Sequence, residues 1–152
     1  MSFDEIDKRI LRVLQQNGKL NAKEIAEKIG LTTTPTYERM RKIERSGVIK
    51  SVVALLDRER LDKHLVAFCH VSLQVHSLKV IQQFEKSARA MKEVMECYHI
   101  TGEHDYLLKI AVKDMNEYQH FLTRKLAALD NIAQVQSNFV MTDVKYTTAF
   151  EL

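Results

Sequence analysis

Apolar positions change their period once along the chain, and the change divides it in two. Up to about residue 50 they recur at helical spacing. Ile6, Ile10, Val13 and Leu14 make one stripe, Ile25, Ala26 and Ile29 a second, and Tyr37, Met40 and Ile43 a third. Gly18, Gly30 and Gly47 close the three segments. Each segment also has a start signal. Ser2 and Asp4 both have an acidic residue three positions on, and Asn21 has Glu24 at that spacing, as a capping box requires. The third helix starts at Thr32 or Thr33, with Pro35 in its first turn, where a missing N–H costs little. A two-turn helix, a short glycine-containing connection and a longer helix make a helix-turn-helix pattern.

From Val48 onward alternation takes over. IKSVVALLD predicts a strand and DRERLDKHL a helical turn, which sets a linker at residues 51–64 between domains 1–50 and 65–152. VAFCHVSLQV places Ala67, Cys69, Val71, Leu73 and Val75 on one face of a strand. Residues 77–91 follow as a helix on Leu78, Ile81, Phe84, Ala88 and Met91. VMECYHIT and DYLLKIAV form a hairpin through Gly102. A helix over 114–128 carries Met115, Tyr118, Leu122, Leu126 and Leu129, and QVQSNFVMTDVKY (134–146) is the last strand. The predicted fold is therefore α+β: an N-terminal three-helix helix-turn-helix, winged-helix-like domain and a C-terminal ferredoxin-like βαββαβ domain. The sheet face away from the helices would carry Val66, Phe68, His70, Ser72 and Gln74, too apolar for bare solvent. A second subunit is the expected cover.

Charge localises the partner. The chain of 152 residues has a net charge of +3, but residues 1–50 hold eleven Lys/Arg against seven Asp/Glu and the remainder twelve against thirteen. An anionic partner is expected on the first domain. Two cysteines without CxxC spacing give neither a disulfide framework nor a zinc site, which suits a reducing, cytoplasmic setting. No apolar run reaches the roughly 20 residues of a membrane span, and the polar start MSFDEIDKR is not a secretory signal.

The third helix, TTTPTYERMRKIERSGVI, turns cationic side chains away from its apolar stripe. Thr33, Thr34 and Thr36 are candidates for hydrogen bonds to phosphate or base edges at the helix N-terminus. Arg41 and Lys42, with Glu38 beside them, face a major groove, and Arg39 and Arg45 are placed to clamp phosphates. A solvated face with Glu38 and Glu44 in ion pairs is the alternative for a lone basic helix; the capped helix-turn-helix and the local charge surplus favour DNA.

These residues carry a resemblance. The stretch from Phe3 to Asp57 is similar to the N-terminal half of the leucine-responsive/asparagine regulator (Lrp/AsnC) family. The shared pattern is Asp4, Asp7, Ile10 and Leu11, then Gly30 and Leu31, Pro35, the basic run Glu38, Arg39, Arg41 and Glu44, and the close at Gly47 and Ile49. Thr32 and Thr33 stand where the family often has Ser-Pro. TGEHDYLLKIAVKDMNEY resembles the family's second-domain segment, with Glu103 replacing the usual Asp. The resemblance implies a sequence-specific transcriptional regulator whose second domain dimerises, often assembling further to an octamer, and binds a small amino acid. It implies an effector loop of Thr101, Gly102, Glu103, Asp105 and Tyr106, with His99, Met115, Asn138, Phe139 and Val140 near the response site. Gly102 suits close approach of a zwitterion, and Asp105 or Glu103 is a candidate partner for its ammonium. From spacing alone, Gly102 reads equally as a tight hairpin glycine with Asp105 as its cap.

Other chemistries find less support. Cys69 and His70 are neighbours on a strand and face opposite ways, so they form no dyad. Cys97 and His99 share a face but lack a third group to orient the histidine. His99, Glu103, His104 and Asp105 have no recognised metal spacing. No enzyme activity, metal or cofactor is expected. The alternative function is a ligand-sensing protein-interaction module without sequence-specific DNA binding.

Overall fold

The structure is a computed structural model that describes residues 2–152. Residues up to Leu55, together with Val144–Leu152, form one compact unit, and Leu56–Asp143 form another. No helix among the described residues is long and apolar enough to cross a membrane.

The first unit holds α1 (Glu5–Gln16), α2 (Ala22–Ile29) and α3 (Thr33–Arg45). Asp4 caps α1 by accepting the Asp7 N–H at 2.8 Å. Asn21 and Glu24 complete a reciprocal capping box on α2, which stops at Gly30 with φ 68°. Thr32 occupies the cap of α3 without a side-chain hydrogen bond. Ile10, Leu11, Ile25, Ile29 and Ile43 form the core. The tail joins this unit through Phe150, whose N–H donates to Gln15 Oε1 at 2.7 Å and whose carbonyl accepts from Gln15 Nε2 at 3.0 Å.

The inward face of α3 differs from the expected one. Thr36 is fully buried, and Tyr37 is 47% exposed. Seven residues make about two helical turns, so Thr36 lies directly over Ile43 with Met40 between, whereas Tyr37 is rotated outward. Burial of Thr36 is possible because its hydroxyl donates to the Thr32 carbonyl at 2.9 Å.

In the second unit β1 (Leu65–Leu73), α4 (Leu78–Ala90), β2 (Val94–His99), β3 (Tyr106–Val112), α5 (Met115–Phe121) and β4 (Ile132–Phe139) follow in the order expected. A π-helical turn, Leu122–Leu126, extends α5. The antiparallel sheet has the order β2-β3-β1-β4. Ala67, Cys69, Val71 and Leu73 alternate inward from β1 and Tyr106, Leu108, Ile110 and Val112 from β3, under Phe84, Ala88 and Phe121 of the helices. Val75 lies beyond β1 and is exposed, as are Leu78 and Met115, whereas Phe121, outside the expected stripe, is buried in the core.

Two strand expectations fail for want of a partner. The segment after Val48 forms no ladder, and Val52, Val53, Leu55 and Leu56 are 64–71% exposed, because β-branched composition alone does not supply a neighbouring strand. The turn expected in DRERLDKHL is present as a 3₁₀ turn, Glu59–Leu61. The last strand, expected to reach residue 146, ends at Phe139. There it pairs with Ala67, close to the beginning of β1, and a final bond from the Val140 N–H to the Val66 carbonyl uses up the partner.

The other sheet face is mixed. Val66 is buried, Phe68, His70 and Ser72 are half-buried, and Tyr98 is 51% exposed. Lys109 and then Tyr98, donating to Glu96 at 2.9 and 2.7 Å, hold its carboxyl below the usual range.

Candidate functional site

Two groups of candidates are placed by these elements. Thr33, Thr34, Glu38, Arg41, Lys42 and Arg45 are exposed along α3, and the Arg41 guanidinium lies 5.8 Å from the centre of the Tyr37 ring. Thr36, one of the expected DNA contacts, is buried and faces the core. Arg39, expected as a phosphate clamp, is turned toward α1. Its Nη1 donates to Asp7 Oδ1 at 2.6 Å and to Asp4 Oδ2 at 2.7 Å. These carboxylates push the Arg39 guanidinium up from its ordinary value, while the Asp7 N–H and then Arg39 hold Asp4 down. Lys42 Nζ stands 3.5 Å from Asp7 Oδ2. Sequence reasoning missed this role of Asp7. The signal was present, since Asp7, Ile10 and Leu11 share the buried face of α1.

The hairpin loop is built differently from the simple clamp. Gly102 has φ 117°, a backbone conformation that side chains with a Cβ rarely adopt. Thr101, Gly102 and Glu103 are exposed, and Glu103 has no hydrogen-bond or ion-pair partner among the described residues. Asp105 is already engaged. One carboxylate oxygen accepts the Leu73 N–H at 2.7 Å, the other meets His76 Nε2 at 2.9 Å, and its own N–H donates to the Val71 carbonyl. It ties the hairpin to the end of β1, so the capping alternative describes its geometry. Glu103 is left as the exposed carboxylate of the loop.

Asp105 has a titration consequence. The Leu73 N–H and then His76 lower its pKa in the folded chain. A depressed pKa contributes stability above the unfolded value of about 3.9, lost as pH falls through the folded value. Asp105→Asn is therefore expected to destabilise the second unit by about 1.5 kcal/mol at pH 7, the scale of a hydrogen bond to a charged group. Urea titrations at pH 7 and pH 3 check this: the difference from wild type should be smaller at pH 3 than at pH 7.

Tyr106 is buried. Its hydroxyl donates to Glu85 Oε1 at 3.2 Å, its ring stacks on His99 at 4.8 Å, and burial followed by Glu85 pushes its phenol up to about 12. Both aromatic rings border a cleft of about 360 Å³ between α4 and β2, which Glu85, Arg89 and Cys97 also line. The remaining effector candidates lie elsewhere. Val71 pairs with Tyr106, whereas Ala67 pairs with Phe139. The loop and the group Met115, Asn138, Phe139 and Val140 therefore occupy opposite ends of β1, about 13 Å apart at the usual strand rise. One copy of the chain does not bring them together.

Comparison with known proteins agrees with both halves of this arrangement. Residues 3–50 match a family model described as winged helix-turn-helix DNA-binding, and residues 66–150 one described as Lrp/AsnC ligand binding domain. The chain is 36% identical over 150 residues to the DNA-binding transcriptional activator DecR of Escherichia coli, covering 99% of each chain. It is 36% identical over 143 residues to the leucine-responsive regulatory protein of Salmonella typhimurium, covering 94% of this chain and 87% of that one. Among solved structures, a transcriptional regulator of Neisseria meningitidis in complex with L-methionine superposes with a TM-score of 0.94 at 35% identity, covering 99% and 97% of the two chains. AsnC of Escherichia coli, at 22% identity and a TM-score of 0.87, shows the same fold. With the helix-turn-helix and the four-stranded α+β domain in that order, the chain belongs to the Lrp/AsnC family of transcriptional regulators.

Proposed function

We propose that this protein is a cytoplasmic, sequence-specific DNA-binding transcriptional regulator that responds to a small amino acid. The observation that carries the DNA reading is the exposed face of α3, where Thr34, Arg41 and Arg45 project from a helix fixed by a buried core. A homodimer would present two such helices to successive major grooves about 34 Å apart. The mixed outer face of the sheet supports pairing of copies, as does the separation of the two effector groups along β1. In this reading the ligand site is completed by a neighbouring copy, with assembly up to an octamer. The amino acid acts by favouring one arrangement over another. The relative named leucine-responsive and the regulator bound to L-methionine support an amino acid as effector.

Substitutions on the exposed face test the DNA reading. On a duplex selected from a random library by the wild-type protein, Arg41→Ala is expected to relax preference at one base position by about tenfold, within the usual worth of a bidentate base contact. Arg45→Ala is expected to weaken all duplexes alike and reduce the salt slope by about one unit per contact. Unchanged affinity and slope in both variants would remove α3 from the interface. The effector follows from thermal-shift screening against the twenty amino acids, since a ligand of the folded state raises its melting temperature.

A further inference from the structure

We infer that Asp7 is a positioning residue for base recognition: with Asp4 it withdraws Arg39 from phosphate contact and fixes the rotation of α3. The inference rests on the DNA-binding reading above. Asp7 is fully buried on α1, where a carboxylate persists only with charged or hydrogen-bonding partners. Its partners come from α3, one turn apart: Arg39 at 2.6 Å and Lys42 at 3.5 Å. Asp4 closes on the same guanidinium nitrogen at 2.7 Å. Asp7 of α1 and its cap residue Asp4 thus balance two cations of α3.

Helix geometry turns this latch into an aiming device. At about 100° per residue, Arg41 lies some 200° around α3 from Arg39, Arg45 some 240° and Thr34 some 220°. Pinning Arg39 to α1 therefore directs those three outward together. Ile43 is the one large apolar side chain of α3 that is fully buried, with Thr36 and Met40 beside it on the inward face. Asp7 supplies the second point of attachment. Arg39 consequently behaves as an internal strut, although its sequence context resembles that of a phosphate ligand.

The full-length protein tests this with a wild-type-selected duplex and a random one, each titrated over a range of salt. Arg39→Ala and Asp7→Asn are both expected to reduce the ratio of selected to random affinity at least tenfold, with the salt slope unchanged in Arg39→Ala. Arg39→Lys, which keeps a cation for Asp7, should recover most of that ratio. The double variant D7N/R39A should be no worse than R39A, as for two residues acting through one contact. If Asp7→Asn does not fold, as judged by circular dichroism, Arg39→Ala against Arg39→Lys decides. A fall in salt slope for R39A matching that for R45A would place Arg39 on phosphate and overturn the inference, as would an unchanged ratio in R39A. Equal wild-type affinity for every duplex would instead overturn the DNA-binding reading itself.

Discussion

Replacing Ile43 with alanine is expected to abolish DNA binding while the second unit remains folded. Ile43 is fully buried among Ile10, Leu11, Ile25 and Ile29. Truncating such a side chain costs about 2–5 kcal/mol, from lost transfer energy and the cavity left behind. A three-helix unit buries so little surface that its whole stability is of the same size. Losing Ile43 also removes the apolar anchor of the helix that presents Arg41 and Arg45. Calorimetry should show the transition of the small unit lost or shifted far down, and affinity for a selected duplex should fall at least a hundredfold. Ile43→Val, costing about 0.5–1.5 kcal/mol, should retain binding. An I43A protein with wild-type affinity and an undisturbed transition would mean that α3 is held by something other than this core.

What the sequence disclosed depends on how local the determining physics is. Caps and left-handed glycines act within one turn, and Asn21, Glu24 and Gly30 take their expected places. Alternation in β1 and β3 fixes which side chains turn inward, and the βαββαβ order follows from it. The errors arise where a distant partner decides. Tyr37 has helical spacing with Met40 and Ile43, yet Thr36 holds the two-turn register with Ile43 and satisfies its own hydroxyl locally. The contact of Arg39 with Asp7, 32 residues away, is likewise outside the reach of helical periodicity. The segment after Val48 has strand composition and no strand beside it. Asp105 was legible both as ligand carboxylate and as cap, and only the fold reveals the Leu73 N–H in contact with it. For the effector candidates, the sequence shows residue types, whereas the pairing of β1 with β3 and β4 separates them along the sheet.

That separation makes the hairpin glycine a sharp point of test. Substituting Gly102 with alanine or valine is expected to weaken amino-acid binding at least tenfold without unfolding the domain. A Cβ added at Gly102 would meet nothing within 4 Å, so no steric clash opposes the change. The obstacle is the backbone, since φ 117° is strained for any residue carrying a Cβ, at about 1–3 kcal/mol. The exposed loop can relax toward negative φ, and the hydrogen bonds of Asp105 to Leu73 and His76 keep the strands paired while it does. Relaxation re-aims the N–H groups around residue 102 and moves Glu103 with them, the groups proposed to meet carboxylate and ammonium. A loss of 1.4 kcal/mol is already tenfold in affinity. The measurement is calorimetric titration with the amino acid that gives wild type its largest thermal shift, beside melting of the unliganded variants. Unaltered affinity in both variants would take the loop backbone out of the effector site. A collapse of melting temperature would instead assign Gly102 to folding of the hairpin, leaving Glu103→Gln to report on the ammonium alone.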